Sequence, residues 1–208
     1  SDRVVILANE VAMAINKMGL GDKYVGMYAY NQHSPPPQVD VHPKVIVSIA
    51  TSYIRYGYTF EKLIEGWSKR ARLLGIREYY IPFVWYQGMP LKGNGGNVNY
   101  LSKKIPYYHQ VGARFMNADS GDSWIANGLG FYISARLLWN VNAAGDIEGL
   151  IDDFVNKLFG KARAPMRNFF GMVARDHDAP RTNDDLLAHM YGYIKEARAL
   201  TNDSKTFA

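Results

Sequence analysis

The residues best suited to chemistry in this 208-residue chain lie where four apolar, strand-like segments end. These positions carry phenol, indole, amide, imidazole and carboxylate groups. In chain order they are Tyr28, Tyr30, Asn31, Gln32 and His33; Thr51, Ser52 and Tyr53; Trp85, Tyr86 and Gln87; and Asn117, Asp119, Ser120, Asp122 and Trp124. Because parallel strands end at one edge of a sheet, these side chains are expected to share one surface.

A mixture of this kind is typical of a carbohydrate site. Sugars present apolar C–H faces that stack on aromatic rings, and hydroxyl groups that pair with amides, imidazoles and carboxylates. The candidate substrate-binding residues are Tyr30, Asn31, His33, Trp85, Tyr86, Asn117, Asp122 and Trp124. Two other readings stay open: the aromatic residues could simply close a core, and Asp119, Ser120 and Asp122 could cap the helix predicted near Trp124.

The carboxylates do not form an obvious catalytic pair. Glycoside hydrolysis usually needs two carboxyl groups on either side of one bond. Asp119 and Asp122 follow the same strand segment, Asp40 lies in a loop, and Glu78 is placed at the wrong end of its predicted strand. Asp119 is therefore the one candidate catalytic residue, to orient the substrate or assist proton transfer. Either the chain does not catalyse, or part of the machinery lies on a segment outside it.

Other catalytic and cofactor motifs are missing from the sequence. There is no phosphate-binding loop, no GxSxG and no HExxH, and the glycines of GNGG (93–96) follow no strand-to-helix pattern. His33 and His42 could form a metal pair, although two surface histidines in one loop are the commoner arrangement. We predict neither a metal nor a cofactor.

Charge and composition exclude several partners. The net charge of +5 is scattered along the chain rather than clustered, so we predict no nucleic-acid partner. The absence of cysteine excludes disulfides and thiolate sites. No apolar run reaches the length of a membrane span and no signal peptide is visible, so we predict no membrane partner. A start at Ser1 rather than Met leads us to expect a processed or truncated N terminus.

Apolar runs predict four strands, at 24–30, 45–50, 78–86 and 113–118. The first two read as buried on both faces, and Pro82 weakens the third, since proline cannot donate to a mid-sheet ladder. The segment NQHSPPPQVDVHPK (31–44) contains four prolines and cannot form a helix.

Helical periodicity predicts the remaining elements. The expected helices cover 3–18, a segment capped by Thr59 that runs to Gly75, 100–111, 124–139, a segment starting at Asp146, 164–175, and a last one capped by Thr182. The helix at 124–139 is apolar almost all round, which predicts burial on several sides. Residues 201–208 are expected to fray.

Alternating strands and helices predict an α/β fold with a parallel sheet. Four such strands are half of an eight-stranded (β/α) barrel. We expect residues 1–140 to form half of a (β/α)8-type barrel, residues 141–200 to form a helical region packed on it, and residues 201–208 to form the tail.

Several segments resemble one bacterial, glycoside-hydrolase-like family that carries a domain-of-unknown-function label. They are DRVVILANEVA (2–12), YAYNQHSPPP (28–37), REYYIPFVWY (77–86), GARFMNADSGDSWIANGLGFYISARLLWN (112–140) and IDDFVNKLFGKARAPMRNFF (151–170). Barrels of that family are similar to those of the β-hexosaminidase and α-glucuronidase superfamily.

The resemblance implies that the four strands are barrel strands five to eight, so that residues 1–140 form the C-terminal half of the barrel. It also implies that the catalytic acid follows barrel strand four, on a segment before Ser1, and that the fragment alone is inactive. A secreted or periplasmic location is favoured by the same resemblance.

Two hypotheses follow from the sequence. In the first, the chain is part of a glycoside hydrolase and acts on a carbohydrate, with the missing N-terminal barrel half or a second copy of the chain as its partner. In the second, it is a non-catalytic glycan-binding or assembly module.

Overall fold

A computed structural model describes residues 1–81, 93–121, 124–174 and 183–201 of the chain. The chain forms two compact units. The first contains residues 1–79 and 108–119, and the second contains residues 80–107 and 120–208. The predicted division into a barrel half and a helical region remains a prediction.

The first unit is built on a four-stranded parallel sheet. Its strands are β1 (Val25–Asn31), β2 (Val45–Ile54), β3 (Leu73–Tyr79) and β4 (Ala113–Asp119). They lie side by side in chain order. The α/β class with a parallel sheet is confirmed, and the arrangement is consistent with half of a barrel.

The third strand does not lie where the sequence predicted it. It covers Leu73–Tyr79 rather than 78–86. The predicted segment includes residues 82–86, which are outside the described part of the chain. The shift moves Glu78 from the start of a strand to the next-to-last position of β3, so its predicted placement at the wrong end is wrong.

One face of the sheet forms the core of this unit. Met27 and Ala29 on β1, and Val45, Val47 and Ile49 on β2, are buried beneath the helices. The alternate residues of β1 are exposed, so the prediction that this strand is buried on both faces is wrong. Right-handed crossovers between strands in sequential order place the connections on one face of the sheet.

Two helices pack on the core face. Helix α1 (Asp2–Lys17) contacts β1 and β2, and helix α2 (Phe60–Ser68) contacts β2. The Thr59 side chain accepts a hydrogen bond from the Lys62 amide, which confirms the predicted cap of α2. The helix ends at Ser68, seven residues before the predicted end at Gly75, because Leu73–Tyr79 pairs as β3.

The proline-rich loop after β1 is held as a fixed structure between these helices. The Trp67 indole of α2 donates to the buried Ser34 carbonyl at 2.8 Å. Asn9 of α1 donates to the Asp40 carbonyl and accepts from the His42 amide, at 2.9 and 2.8 Å. The loop connects β1 to β2 at the position where a regular barrel has a helix. Side chains from α1 and α2 satisfy backbone groups of the loop that a helix would satisfy internally.

The second unit is mainly helical. Its helices are α4 (Trp124–Trp139), α5 (Ile147–Phe159), α6 (Arg163–Val173) and α7 (Asp184–Leu200), and helix α3 (Val98–Gln110) starts in this unit and ends in the first. Short 3-10 turns occupy Asn94–Gly96, Val141–Asp146 and Gly160–Ala162.

Aromatic contacts hold the second unit together. The Phe154 ring of α5 lies 5.4 Å from Tyr132 of α4 and 5.2 Å from Phe170 of α6, measured between ring centroids. The cap of α7 is Asn183, whose side chain accepts from the Leu186 amide, so the prediction of Thr182 is wrong. Asn183 immediately precedes the first helical residue, where an amide oxygen can reach the orphan backbone donors.

Candidate functional site

The face of the sheet opposite helices α1 and α2 carries polar and aromatic side chains in aligned rows. Tyr28, Ser48, Gly75 and Phe115 are register partners across the four strands. Arg77 pairs with Asn117 one step further along, and Tyr79 pairs with Asp119 at the end of the sheet. Since side chains alternate between faces, these rows project from the face opposite the helices.

A bulge in β2 turns Tyr53 into this surface. Between Ala29 and Asn31 the register of β1 against β2 jumps from Ile49 to Ile54. Tyr53 lies inside the jump with a φ of 58°, and Asn31 has a φ of 52°. Positive φ is uncommon for a residue as bulky as tyrosine, and such strained residues, like bulges, concentrate near functional sites.

The strand ends enclose a small pocket, which we call the aromatic pocket. Its lining is Tyr28, Tyr30, Tyr53, Arg77, Tyr79 and Asp119, and its volume is 310 Å³. Tyr53 meets Tyr30 and Tyr79 edge to face, with centroid distances of 5.7 and 5.3 Å. Tyr79 is 6% exposed and forms the floor, whereas Tyr30 and Tyr53 are 37% and 41% exposed and offer free ring surface.

Arg77 sits at the centre of a polar network in the pocket. Its Nη2 atom lies 3.2 Å from Asp119 Oδ2, and its Nη1 atom donates to Asn117 Oδ1 at 3.4 Å. The guanidinium carbon is 5.7 Å from the Tyr28 ring centroid and 5.5 Å from that of Tyr79. Both rings are within the range of a cation–π contact, so the cation is fixed by its neighbours before any ligand arrives.

The phenol of Tyr79 is held in its neutral form. Burial raises the pKa of Tyr79 above its ordinary value, and the hydrogen bond with Arg77 offsets part of that rise. Asn117 joins the network from β4, since its amide donates to the Tyr28 hydroxyl at 3.3 Å. The pocket therefore presents phenol groups, an amide, a carboxylate and aromatic faces together.

Glu78 lies between two pocket residues in sequence but belongs to the opposite face. It is 1% exposed, and its Oε1 atom accepts from Thr51 Oγ1 at 2.6 Å and from the Tyr79 amide at 2.8 Å. Its Oε2 atom accepts from the Tyr108 hydroxyl. The carboxylate ties the ends of β2 and β3 to the last turn of α3, and so positions the strand that carries Arg77 and Tyr79.

Only some of the predicted site residues belong to the aromatic pocket. Tyr30 and Asp119 line the aromatic pocket, and Asn117 is bonded to its Arg77. The Oδ1 atom of Asn31 accepts from Arg55 Nε at 2.8 Å. His33 is exposed in the turn after β1, where its amide donates to the Tyr30 carbonyl. Neither Asn31 nor His33 lines the pocket.

The other candidates are not assembled with this group. Trp124 begins α4 in the second unit, is 64% exposed, and meets the Phe131 ring edge to face at 5.2 Å. Trp85, Tyr86 and Asp122 lie outside the described residues.

Sequence reasoning missed Arg77 and Tyr79 as site residues, because it placed the third strand too late. The signal available was the short run Leu73, Leu74, Gly75 and Ile76, which precedes Arg77 directly. Reading that run as a strand would have put Arg77 and Tyr79 near a strand end.

Within the described ranges, no group of three or more histidine or acidic side chains is arranged to hold a metal ion. Nδ1 of His42 accepts from the Lys44 amide, an ordinary loop contact. None of the helices in the described ranges has the length and apolar character needed to cross a membrane.

Comparison with known proteins places the chain in a family. The sequence model of a domain of unknown function, DUF4838, matches residues 1–171, a range that includes all four strands and the aromatic pocket. No curated protein and no solved structure matches the chain with significance. The expected domain-of-unknown-function label is confirmed, while the likeness to a hydrolase superfamily gains no support from the match. The chain therefore belongs to the DUF4838 family.

Proposed function

We propose that this chain supplies the carbohydrate-binding wall of a glycoside hydrolase-like (β/α)8 barrel. Two features support the barrel: four parallel strands in sequential order, and helices α1 and α2 on the same face of the sheet. In a barrel of this kind the ligand site lies at the C-terminal ends of the strands. The aromatic pocket occupies that end of the sheet.

The aromatic pocket is the observation that carries the proposal. Its volume of 310 Å³ lies at the small end of the range of ligand sites. The exposed rings of Tyr30 and Tyr53 can stack on the C–H face of a sugar. Asp119 and the phenol groups can accept and donate hydrogen bonds to hydroxyls. Aromatic faces combined with a few convergent polar groups are what a sugar ring requires.

Catalysis in this proposal needs more than the pocket lining contains. Hydrolysis of a glycosidic bond usually requires two carboxyl groups, and Asp119 is the single carboxylate among the described residues that line the pocket. Asp119 would orient the substrate or assist proton transfer. The second carboxyl group would come from another part of the complete barrel.

The partner in this proposal is the rest of that barrel. Among the described residues, β1 pairs with β2 alone and β4 pairs with β3 alone. Each strand therefore offers a free edge, and an open edge of a parallel sheet is prone to pairing with further strands. Those strands would come from the same polypeptide or from a second copy of the chain.

A non-catalytic glycan-binding or assembly module is the second candidate. The observation that favours it is the pairing of Asp119 with Arg77 at 3.2 Å. A carboxylate held in place by a fixed cation is positioned to accept hydrogen bonds from a bound ligand.

A glycan array followed by calorimetry and a turnover assay tests the proposal. We expect the full chain to bind at least one carbohydrate, and Tyr30→Ala to weaken binding roughly two- to twelvefold, the equivalent of about 0.5–1.5 kcal/mol for one aromatic contact. Tyr24→Ala is the matched control, because Tyr24 is exposed near the opposite end of β1 and contacts Lys44. Absence of carbohydrate binding, or equal losses in both variants, would contradict the proposal. Turnover by the complete barrel, rather than by this chain alone, would separate the hydrolase from the binding module.

A further inference from the structure

We infer that the aromatic pocket selects uncharged sugars over acidic sugars, and that Asp119 sets this preference. The inference rests on the proposed carbohydrate function and names the substrate class of the same pocket. It follows from how the two charged groups of the pocket are arranged.

Among the described residues that line the pocket, the charges cancel. Arg77 and Asp119 are the two of these residues that carry charge. Their 3.2 Å contact joins a cation that is 25% exposed to a carboxylate that is 51% exposed. The buried partner is the cation, and the more accessible partner is the anion. A ligand entering from solvent therefore meets a carboxylate first.

Arg77 is also poorly placed to receive a second carboxylate. Recognition of a carboxylate by arginine commonly uses two parallel N–H donors in a fork. Here Nη2 faces Asp119, Nη1 faces Asn117, and the rings of Tyr28 and Tyr79 flank the guanidinium group. A uronate carboxylate that approached Arg77 would lie beside Asp119, and like charges in contact oppose binding strongly.

A second arginine that follows a strand of this sheet is engaged outside the pocket. Arg55 follows β2 and donates from Nε to Asn31 Oδ1 at 2.8 Å. Neither residue is among the described residues that line the pocket. The described lining thus offers a sugar its ring faces and neutral hydrogen-bonding groups, with Asp119 as an acceptor for hydroxyls, and its one arginine is paired with Asp119.

Matched sugar pairs test this inference. Calorimetry or saturation-transfer NMR on the full chain would compare methyl hexosides with the methyl hexuronides of the same configuration, which differ in the C6 carboxylate. We expect the wild type to prefer the neutral member. Asp119→Asn should expose the charge of Arg77 and shift the affinity ratio toward the uronide by roughly tenfold. Asp119→Ser, which also removes the anion, should shift the ratio in the same direction.

The control variant removes the acidic partner of a different arginine in the same unit. Asp40→Asn frees Arg70, which pairs with Asp40 at 2.9 Å outside the pocket, and should leave the ratio unchanged. A wild type that prefers uronides, or unchanged ratios in both Asp119 variants, would overturn the inference while leaving the proposed function intact. Failure to bind any sugar of the panel or of the array would instead overturn the proposed function, and the inference with it.

Discussion

Removing the hydroxyl of Tyr108 should destabilise the first unit measurably. Glu78 is 1% exposed and accepts hydrogen bonds from Thr51, from the Tyr79 amide and from the Tyr108 hydroxyl. Tyr108→Phe keeps the ring and its edge-to-face contact with Phe60 at 5.7 Å, but deletes one donor to the carboxylate. The change therefore removes the buried hydrogen bond from Tyr108 to the Glu78 carboxylate.

The magnitude follows from the charge and burial of the acceptor. A hydrogen bond to a charged group contributes about 1.5–3 kcal/mol. For a chain of this size that loss lowers Tm by roughly 3–12 °C, at about 2–4 °C per kcal/mol. Urea unfolding followed by circular dichroism, with a thermal scan beside it, measures both quantities.

The matched control is Tyr191→Phe. Tyr191 lies on α7 and is 71% exposed, so loss of its hydroxyl should change the free energy of unfolding by less than about 0.5 kcal/mol. Equal stability of the Tyr108→Phe variant and the wild type would refute the view that Glu78 ties the ends of β2 and β3 to α3.

The other predictions concern packing and pH. A Cβ atom at Gly66 would lie 2.2 Å from Pro36 Cγ, so Gly66→Ala should cost about 1–3 kcal/mol of unfolding free energy in a denaturation titration. Gly192→Ala, where a Cβ meets nothing within 4 Å in α7, should instead stabilise by about 0.5–1 kcal/mol, and the same sign at both sites would contradict the packing account. The hydrogen bond from Lys157 lowers the pKa of Asp153, so ionised Asp153 stabilises the fold above about pH 4 and loses this effect as the pH falls through the lowered pKa. The Tm advantage of the wild type over Asp153→Asn should therefore shrink in acid, and a constant difference from about pH 7 to about pH 2 would speak against it.

The strands β1 and β2 were predictable because their apolar runs are nearly continuous, and both lie close to their predicted positions. Strand β4 also lies close to its predicted position, although it contains Arg114, Asn117 and Asp119. β3 contains Arg77 and Glu78, which a hydropathy pattern reads as solvent-facing. Arg77 is accommodated by the pocket and Glu78 by donors from β2 and α3, and such long-range partners are invisible in a local pattern.

The sequence indicated where in the fold the candidate site lies, but not which residues line it. The rule that strand ends share one edge brought Tyr30 and Asp119 into the same set, and they line the same pocket. Asn31 follows Tyr30 directly, yet its positive φ sends its side chain to Arg55. The bulge that brings Tyr53 to the pocket arises from the pairing between β1 and β2. The sequence of either strand alone therefore does not predict it.

A crystal structure of the full chain with a bound sugar tests the central claim most directly. The crystals would be soaked with a neutral saccharide chosen from the array. The account predicts one sugar ring in the aromatic pocket, stacked on Tyr30 or Tyr53 with a hydroxyl bonded to Asp119. A sugar bound in the groove of the second unit lined by Arg167 and His189, with the aromatic pocket empty, would contradict it.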